Sequence, residues 1–382
     1  WVRSKINKPL SGWKPFSNWA ATPSSIKDEF IFDEHPCVID KNSNSNVPIP
    51  ILDGIKLVRN KLRNNQVVRL IGLSGVGKTR FAQALFEEND CIDALPSKNV
   101  IYADLGNDLN PRAQELIEYL IFNEHAVYLI LDNCPPDIHR KLQKQVEDSI
   151  TKLSLLTIEY DISDDLPEQT EVILIEPSSE ETISKLIQIR FPNLGPVNSN
   201  KISEFSGGNA RIAIALASRV KYGESLSNFS DEALFTRLFD QRKGDSKSLL
   251  KSAEILSLVY SFNVSKTEFN NELNVLAQIG GVTRQTLYTD HAELLRRQIS
   301  QKRGDWRAVM PHAIANKLAR KALENISYDE INEHLFKTEN YRLLRSCAHR
   351  LSYLHDFEIA IQLANSWILK DGPLNNFDNY SN

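Results

Sequence analysis

Between Gly72 and Thr79 the chain carries the pattern G-x-x-x-x-G-K-T, which constrains its fold more than any other segment. The apolar run VVRLIGL overlaps the start of this pattern, and KTRFAQALF, whose apolar residues have helical spacing, follows it. A strand, a glycine-rich turn and a helix in this order surround phosphate groups with backbone N–H groups and a helix N-terminus. The sequence therefore predicts a phosphate-binding loop.

Different side chains of the loop are expected to have different roles. Lys78 is expected to contact the β- and γ-phosphates of a nucleotide, and the Thr79 hydroxyl is expected to bind Mg²⁺. The full set of expected nucleotide contacts in this segment is Gly72, Ser74, Gly75, Val76, Gly77, Lys78, Thr79 and Arg80. No N/T-K-x-D guanine motif follows the fourth predicted strand, so the expected nucleotide is ATP or ADP. A plain glycine turn before a helix is the alternative.

A second motif supplies the other side of the expected metal site. The run AVYLILDN, residues 126–133, is a predicted buried strand that leads into Asp132, whose carboxylate would hold Mg²⁺ directly or through water. Lys78 and Asp132 are the expected catalytic residues. Asn133 follows, where many fast ATPases have glutamate, and an amide cannot accept a proton from water. Slow, switch-like hydrolysis is therefore predicted, with Glu159 or Asp161 left open as the base.

The first half of the chain alternates strands with helices. Further strands are predicted at 99–105, 153–160 and 171–177, and one of the helices between them is predicted to begin with Asn110 as cap and Pro111 in its first turn. Five strands in this rhythm predict a mostly parallel sheet with helices on both faces, over residues 47–177.

The second half is helical, so the predicted fold class is α/β followed by all-α. A small helical domain is predicted over residues 178–243, opening with Ser178 and Glu181 in capping-box spacing. Three helices and a hairpin predict a winged helix over residues 244–326. Residues 327–382 have tetratricopeptide-like spacing and are predicted to begin a repeat or sensor region.

Several motifs together resemble those of STAND NTPases, a signalling class of P-loop NTPases with NB-ARC and NACHT members. Beside the phosphate loop they are LILDN, the segment GGNAR at Gly207–Arg211, and Met310 with His312 after the predicted winged helix. The resemblance covers about residues 47–323. The chain looks most like prokaryotic members, including antiviral AVAST-type sensors.

The sequence departs from the STAND pattern at three places. Ala210 replaces the proline that touches the adenine side in the family, which puts that contact in doubt. Pro311 is inserted before His312, and Ala313 stands where the family has aspartate.

The resemblance implies a conformational switch. ADP would hold the protein closed, with His312 contacting the β-phosphate, and ATP would replace ADP when a protein ligand binds the C-terminal helical repeats. Homo-oligomers would then activate an effector domain in the same chain. Arg211 could approach a phosphate or be a solvated helix residue. Val47 and Ile49 would line the adenine pocket or pack in the core.

Residues 1–46 show no periodic pattern, and tryptophans stand among prolines and serines there. We expect this segment to be a linker from an absent N-terminal effector domain, such as a nuclease or an NADase, because the chain begins at Trp1 and its only methionine is Met310.

Composition limits the alternatives. With 45 basic and 49 acidic residues, the net charge of −4 gives no global basic field for nucleic acid. No apolar run spans a bilayer, no signal peptide is visible, and the four cysteines lie apart, so a cytoplasmic protein without a membrane partner is expected.

The alternative function is an ATP-dependent DNA-binding regulator or initiator that reads DNA with the winged helix through Arg284, Arg296, Arg297 and Arg303. A metabolic kinase is disfavoured, since no small-molecule pocket beyond the loop is evident.

Overall fold

The computed structural model describes residues 10–21, 30–43, 46–64, 66–87, 94–149, 152–159, 170–221, 223–239, 246–265, 271–297, 299–303, 305–309, 312–337 and 341–368. The chain divides into two units. The first unit comprises Trp1–Asn200 with Gly208–Arg211, and the second comprises Lys201–Gly207 with Ile212–Asn382. The polypeptide thus enters the second unit, returns to the first for one short turn, and leaves again.

The apolar runs of the first unit form one seven-stranded sheet. Its strands are β1 (Lys14–Pro15), β2 (Val38–Asp40), β3 (Val67–Gly72), β4 (Val100–Asp104), β5 (Val127–Asp132), β6 (Leu153–Ile158) and β7 (Glu171–Ile175). Their spatial order is β1-β4-β5-β6-β3-β7-β2, in which the five inner strands are parallel and the two outer strands are antiparallel. The prediction of a mostly parallel sheet is confirmed.

Helices cover both faces of this sheet, as predicted. The described α-helices up to residue 190 are α1 (Phe16–Trp19), α2 (Ile51–Arg63), α3 (Lys78–Ala84), α4 (Ala113–Phe122), α5 (Pro136–Glu147) and α6 (Glu180–Arg190). One apolar core contains Val58 of α2 and Phe81 of α3, and a second contains Leu116 of α4 and Leu142 of α5. Burying both faces explains why the inner strands are almost continuously apolar.

Side chains of each strand point alternately to the two faces of the sheet. Leu70 and Ile130 belong to the core with α3, and we call this side the α3 face. Leu129, Leu131 and Leu155 belong to the core with α5, and we call the opposite side the α5 face. This alternation decides which polar side chains at the strand ends can meet.

The N-terminal segment differs from the expected linker. Both antiparallel edge strands come from it, since β1 pairs with β4 and β2 pairs with β7. Trp13 and Trp19 are buried, one in each core, and the Trp13 indole N–H donates to the Pro111 carbonyl at 2.9 Å. The sequence pattern missed this because isolated aromatic side chains and strands of two or three residues show no periodicity.

Two helix starts also differ from the sequence prediction. The helix expected to begin with Asn110 starts instead at Ala113, and the Asn110 backbone exchanges hydrogen bonds with Ser11. The cap of α6 is Ser179, whose hydroxyl accepts from the Thr182 N–H, and the neighbouring Ser178 N–H donates to the Gly208 carbonyl. In both cases the residue expected as the cap has its backbone hydrogen-bonded to a distant segment.

The second unit is largely helical, as predicted for the C-terminal part. From the segment that joins the units onward, the helices are α7 (Gly195–Ser206), α8 (Ala210–Ala217), α9 (Asp231–Phe239), α10 (Ser246–Ser257), α11 (Glu272–Ile279), α12 (Arg284–Arg296), α13 (His312–Asn325), α14 (Tyr328–Lys337), α15 (Tyr341–Ser352) and α16 (Glu358–Ile368). A small antiparallel sheet has the order β8 (Phe262–Asn263), β10 (Trp306–Val309), β9 (Ser300–Arg303). The hairpin β9–β10 was expected, whereas β8 was not.

A cavity of about 290 Å³ lies in the second unit among α10, α11 and α13, with Lys251, Glu254 and Gln278 in its wall. The sequence pattern did not predict this cavity. Among the helices of the described ranges, none is both long enough and apolar enough to span a membrane.

Replacing Trp19 tests whether the N-terminal segment is part of the first unit. The indole ring stacks on Tyr102 at a centroid distance of 4.5 Å and meets Phe16 edge-on at 5.9 Å. We expect Trp19→Ala to lower the free energy of unfolding by about 3 kcal/mol, measured by urea denaturation, because a buried aromatic ring is lost. The control is Phe122→Ala, since that ring is 87% exposed. If both substitutions changed the free energy of unfolding equally, the result would favour the linker that the sequence predicted.

Candidate nucleotide-phosphate site

The turn between β3 and α3 has a backbone that requires glycine at specific positions. Gly72 has a φ of 146°, and a Cβ there would lie 2.3 Å from the Ile175 carbonyl oxygen of β7. Gly75 has a φ of 83°, and a Cβ there would lie 2.4 Å from the Asn209 side-chain oxygen. The first glycine lets the strands stay paired, and the second lets the 207–211 turn approach the loop.

Lys78 is held across this loop. Its Nζ donates to the Gly72 and Leu73 carbonyl oxygens, both at 2.7 Å, and the residue is only 7% exposed. The ammonium group is therefore fixed at the rim of the loop, which is where the phosphates of a nucleotide would need a cation. The role of Lys78 as a phosphate contact stays a prediction.

Thr79 and Asp132 meet as a metal site would require. The Thr79 hydroxyl donates to Asp132 Oδ2 at 2.9 Å, and the Tyr102 hydroxyl donates to the same oxygen at 3.3 Å. Burial raises the pKa of Asp132 above its ordinary value, and hydrogen bonds from Thr79 and the Asn133 N–H oppose that rise. A hydroxyl and a carboxylate are oxygen ligands that fit Mg²⁺, which would complete its shell with phosphate and water.

Two residues of the GGNAR segment contact the phosphate loop. Asn209 Nδ2 donates to the Ser74 carbonyl at 2.6 Å, and the Arg211 guanidinium donates to Ser74 Oγ at 2.8 Å. Asn209 is only 1% exposed. Arg211, for which the sequence left a phosphate or a solvated role open, thus lies at the loop. Asn209 was missed as a site residue, although it stands in the motif that suggested Arg211.

Other expected nucleotide contacts are engaged elsewhere. Arg80 forms a bidentate ion pair with Glu87, at 2.6 and 2.9 Å, and its guanidinium lies over the Phe30 ring. Ile49 exchanges backbone hydrogen bonds with Val38 and packs against the apolar core, which matches the core alternative.

The remaining expected contacts stay predictions. Val47 is 60% exposed. Met310 and the His312 side chain lie outside the described part of the chain, although the His312 backbone begins α13.

Glu159 is unsuited to act as the hydrolytic base. It continues β6 on the α5 face, where it forms a buried ion pair with Arg69 at 3.3 Å. On the same face the His139 ring is hydrogen-bonded to the hydroxyls of Thr157 and Thr170. Burial, together with the charge of Arg69, lowers the pKa of His139 to about 3. Glu159 therefore belongs to a structural polar network on the side opposite Asp132. Asp161 lies outside the described residues.

The first unit has the arrangement of a P-loop NTPase fold, with a glycine loop after one parallel strand and an acidic strand end facing it. No protein-family model matches the sequence, and no curated protein matches it. Among solved structures, the chain is similar to the Thermotoga maritima RuvB Holliday junction branch migration motor, with 18% identity over 71% of this chain and 93% of that chain and a TM-score of 0.39.

Two further solved structures are similar at comparable levels. A STAND protein with a tetratricopeptide repeat sensor from Pyrococcus horikoshii shares 13% identity over 81% of this chain and 57% of that one, with a TM-score of 0.32. Drosophila ORC bound to DNA shares 14% identity over 84% of this chain and 97% of that one, with a TM-score of 0.35. Similarities at this level do not assign a function.

The raised pKa of Asp132 gives a signed prediction for stability without nucleotide. As pH rises above the ordinary carboxyl pKa of 3.8, the unfolded chain ionises before the folded one, so the folded state loses stability through this window. Asp132→Asn removes that cost and can keep hydrogen bonds to Thr79 and the Asn133 N–H. We expect the variant to be more stable than the parent at pH 7 and equal to it near pH 3.5.

The measurement is the free energy of unfolding against pH in buffer without Mg²⁺ or nucleotide. The matched control is Asp108→Asn, because Asp108 is exposed on the loop after β4. A loss of stability at pH 7 in Asp132→Asn would contradict the assigned electrostatic cost.

Proposed function

We propose that the chain is an ATP- and ADP-binding signalling switch that hydrolyses ATP slowly. The observation that carries this proposal is the pair of hydrogen bonds from Asn209 and Arg211 to Ser74. Residues 208–211 belong to the first unit, and the chain enters the second unit at Ile212. A change in phosphate occupancy that moves Arg211 would therefore act directly on the segment leading into the second unit.

The switch requires ATP and ADP to make different contacts with the two conformations of the protein. A nucleotide shifts a conformational equilibrium only by the difference in its affinity for the two states. Arg211 holds Ser74 Oγ in the structure, and a γ-phosphate would offer the guanidinium a charged acceptor in its place. ATP and ADP would then favour different positions of the 207–211 turn.

The end of the strand that holds Asp132 supports the proposal of slow hydrolysis, because no carboxylate directly follows Asp132 in the chain. Asn133 follows Asp132, and its side chain donates to Asp104 Oδ1 at 2.7 Å. An amide committed to this bond cannot serve as a proton acceptor for the attacking water. Slow turnover suits a switch, since the ATP state must last long enough to signal.

The more specific proposal is a STAND-class switch. In it, ADP keeps the protein closed through His312, a protein ligand on the C-terminal helices α14 to α16 opens it, and ATP-bound protomers form a homo-oligomer that activates an effector. Helices α10 to α12 with the β8-β10-β9 sheet would be the winged helix of this class. The motifs GGNAR and His312 support this proposal, and a role in prokaryotic antiviral defence is its narrowest form.

Nucleotide titrations test the binding part of the proposal. We expect Lys78→Ala to weaken both ATP and ADP about tenfold to a hundredfold, because a charge-assisted contact is lost. Arg211→Ala should weaken ATP more than ADP, and isothermal titration calorimetry in Mg²⁺ buffer measures both. Lys56→Ala is the control, since the Lys56 side chain is 59% exposed. Equal weakening of the two nucleotides by Arg211→Ala would contradict a γ-phosphate role.

Replacing His312 tests the closed state. If this histidine contacts the β-phosphate of ADP, His312→Ala should release ADP and raise the oligomeric fraction without added ligand. Size-exclusion chromatography with light scattering and analysis of copurified nucleotide provide the readout. An unchanged oligomeric state and an unchanged ADP content would exclude His312 from the lock.

The second candidate function is DNA binding through the second unit. Arg296 supports it, because its side chain is 72% exposed on α12. Two other expected contacts are used internally: Arg284 donates to the Val264 carbonyl at 2.9 Å, and Arg297 donates to the Phe239 carbonyl and pairs with Glu293. Salt-dependent duplex binding that Arg296→Ala weakens would favour this function over the switch.

A further inference from the structure

The end of β4 lies directly beside the end of β5. Asp104 and Asp132 are register partners in the parallel pair, and the Leu105 N–H donates to the Asp132 carbonyl at 2.9 Å. The sequence pointed to Asp132 because it ends a buried apolar run downstream of the phosphate loop. Asp104 ends an equally apolar strand, but it belongs to no motif.

Strand alternation puts the two carboxylates on the same side of the sheet. On β4, Val100 and Tyr102 face the core that contains α3, whereas Ile101 and Ala103 face the other core. Asp104 therefore continues the α3 face. The Tyr102 hydroxyl confirms this placement, because it reaches Asp132 Oδ2 at 3.3 Å. Glu159, by contrast, lies on the α5 face with Arg69.

The Asp104 carboxylate is held in one orientation. Its Oδ1 accepts from Asn133 Nδ2 at 2.7 Å and from the Gly106 N–H at 2.8 Å. Asn133 adopts a left-handed backbone with a φ of 53° next to Asp132. Because both donors bind Oδ1, the second carboxylate oxygen, Oδ2, is left to accept from another group. Asp104 is only half-buried, so water can reach it.

We propose that Asp104 is the carboxylate that aligns the attacking water and accepts its proton during ATP hydrolysis, and that Asn133 is the positioning residue that orients Asp104. This inference rests on the proposed function. The carboxylate that a fast ATPase carries after its metal-binding aspartate would here come from the neighbouring strand. Asn133 would turn that carboxylate toward the site instead of replacing it.

The proposed step uses only water and the bound nucleotide. The water oxygen forms a bond to the γ-phosphorus, and the bond from that phosphorus to the β–γ bridging oxygen breaks, with its electron pair leaving on ADP. One water proton passes to Asp104 Oδ2 and then to solvent, and the other stays on inorganic phosphate. Lys78 and the metal held by Thr79 and Asp132 would balance the charge that develops on the phosphates.

The test compares ATP turnover and ATP affinity in Asp104→Asn. The amide keeps the size of the side chain but cannot accept a proton. We expect single-turnover hydrolysis to slow by about a hundredfold, as for loss of a general base, while ATP affinity by calorimetry changes less than about threefold. Asp108→Asn, the same substitution at an exposed position on the following loop, should leave both quantities at the parent values.

A second variant distinguishes a catalytic from a structural cause of any loss of rate in Asp104→Asn. Adding Asn133→Glu to the Asp104→Asn background returns a carboxylate to the adjacent strand end, and we expect it to restore at least tenfold of the lost rate. Circular dichroism and ATP affinity identify a folded variant. If Asp104 had only a structural role, Asn133→Glu would not restore ATP turnover while leaving ATP affinity unchanged.

Three results would overturn the assignment. They are parent-like turnover in Asp104→Asn, a loss of ATP affinity as large as the loss of rate, and a parent chain that binds Mg–ATP without any turnover. In the first two results the chain still binds and hydrolyses ATP, so the proposed function is untouched. The third would also remove the hydrolysis part of the proposed function, but not the nucleotide-binding part. A parent chain that binds neither ATP nor ADP would instead remove the proposed function and this inference with it.

Discussion

The hydrogen bond from Thr79 to Asp132 is the contact on which the site depends. Strand β6 lies between the strand that leads into the loop and the strand that ends in Asp132, so these two residues come from strands that are not neighbours. They meet only because the loop extends over the end of β6 and both side chains lie on the α3 face. This contact depends on the glycine at position 72, on the parallel strand order and on the register of β5 with β6.

A second set of contacts joins the loop to the segment that leads into the second unit. Asn209 and Arg211 bind Ser74 from a turn whose flanking residues belong to the second unit. On the other side of the site, the Asn133 side chain is turned toward Asp104 and fixes the orientation of that carboxylate.

The sequence predicted what short stretches of chain encode by themselves. The loop, the strand ending in Asp132 and the parallel sheet all follow from contiguous apolar runs and glycine spacing. The edge strands β1 and β2 were missed because two or three residues cannot show a period. Asp104 and Asn209 were missed as site residues because their roles depend on strand order and on a distant turn. The caps predicted at Ser178 and Asn110 were wrong, since α6 is capped by Ser179 and α4 begins at Ala113. The backbones of Ser178 and Asn110 hydrogen-bond to distant segments, which local sequence does not reveal.

The coupling of the phosphate loop to the 207–211 turn is tested most directly by amide hydrogen–deuterium exchange, with and without Mg–ADP and Mg–ATP. The account predicts slower exchange in peptides covering residues 72–79 when either nucleotide binds. It also predicts an exchange change in residues 208–211 that differs between ATP and ADP. Protection confined to the loop, with residues 208–211 unaffected by either nucleotide, would contradict the claim that this turn responds to the phosphates.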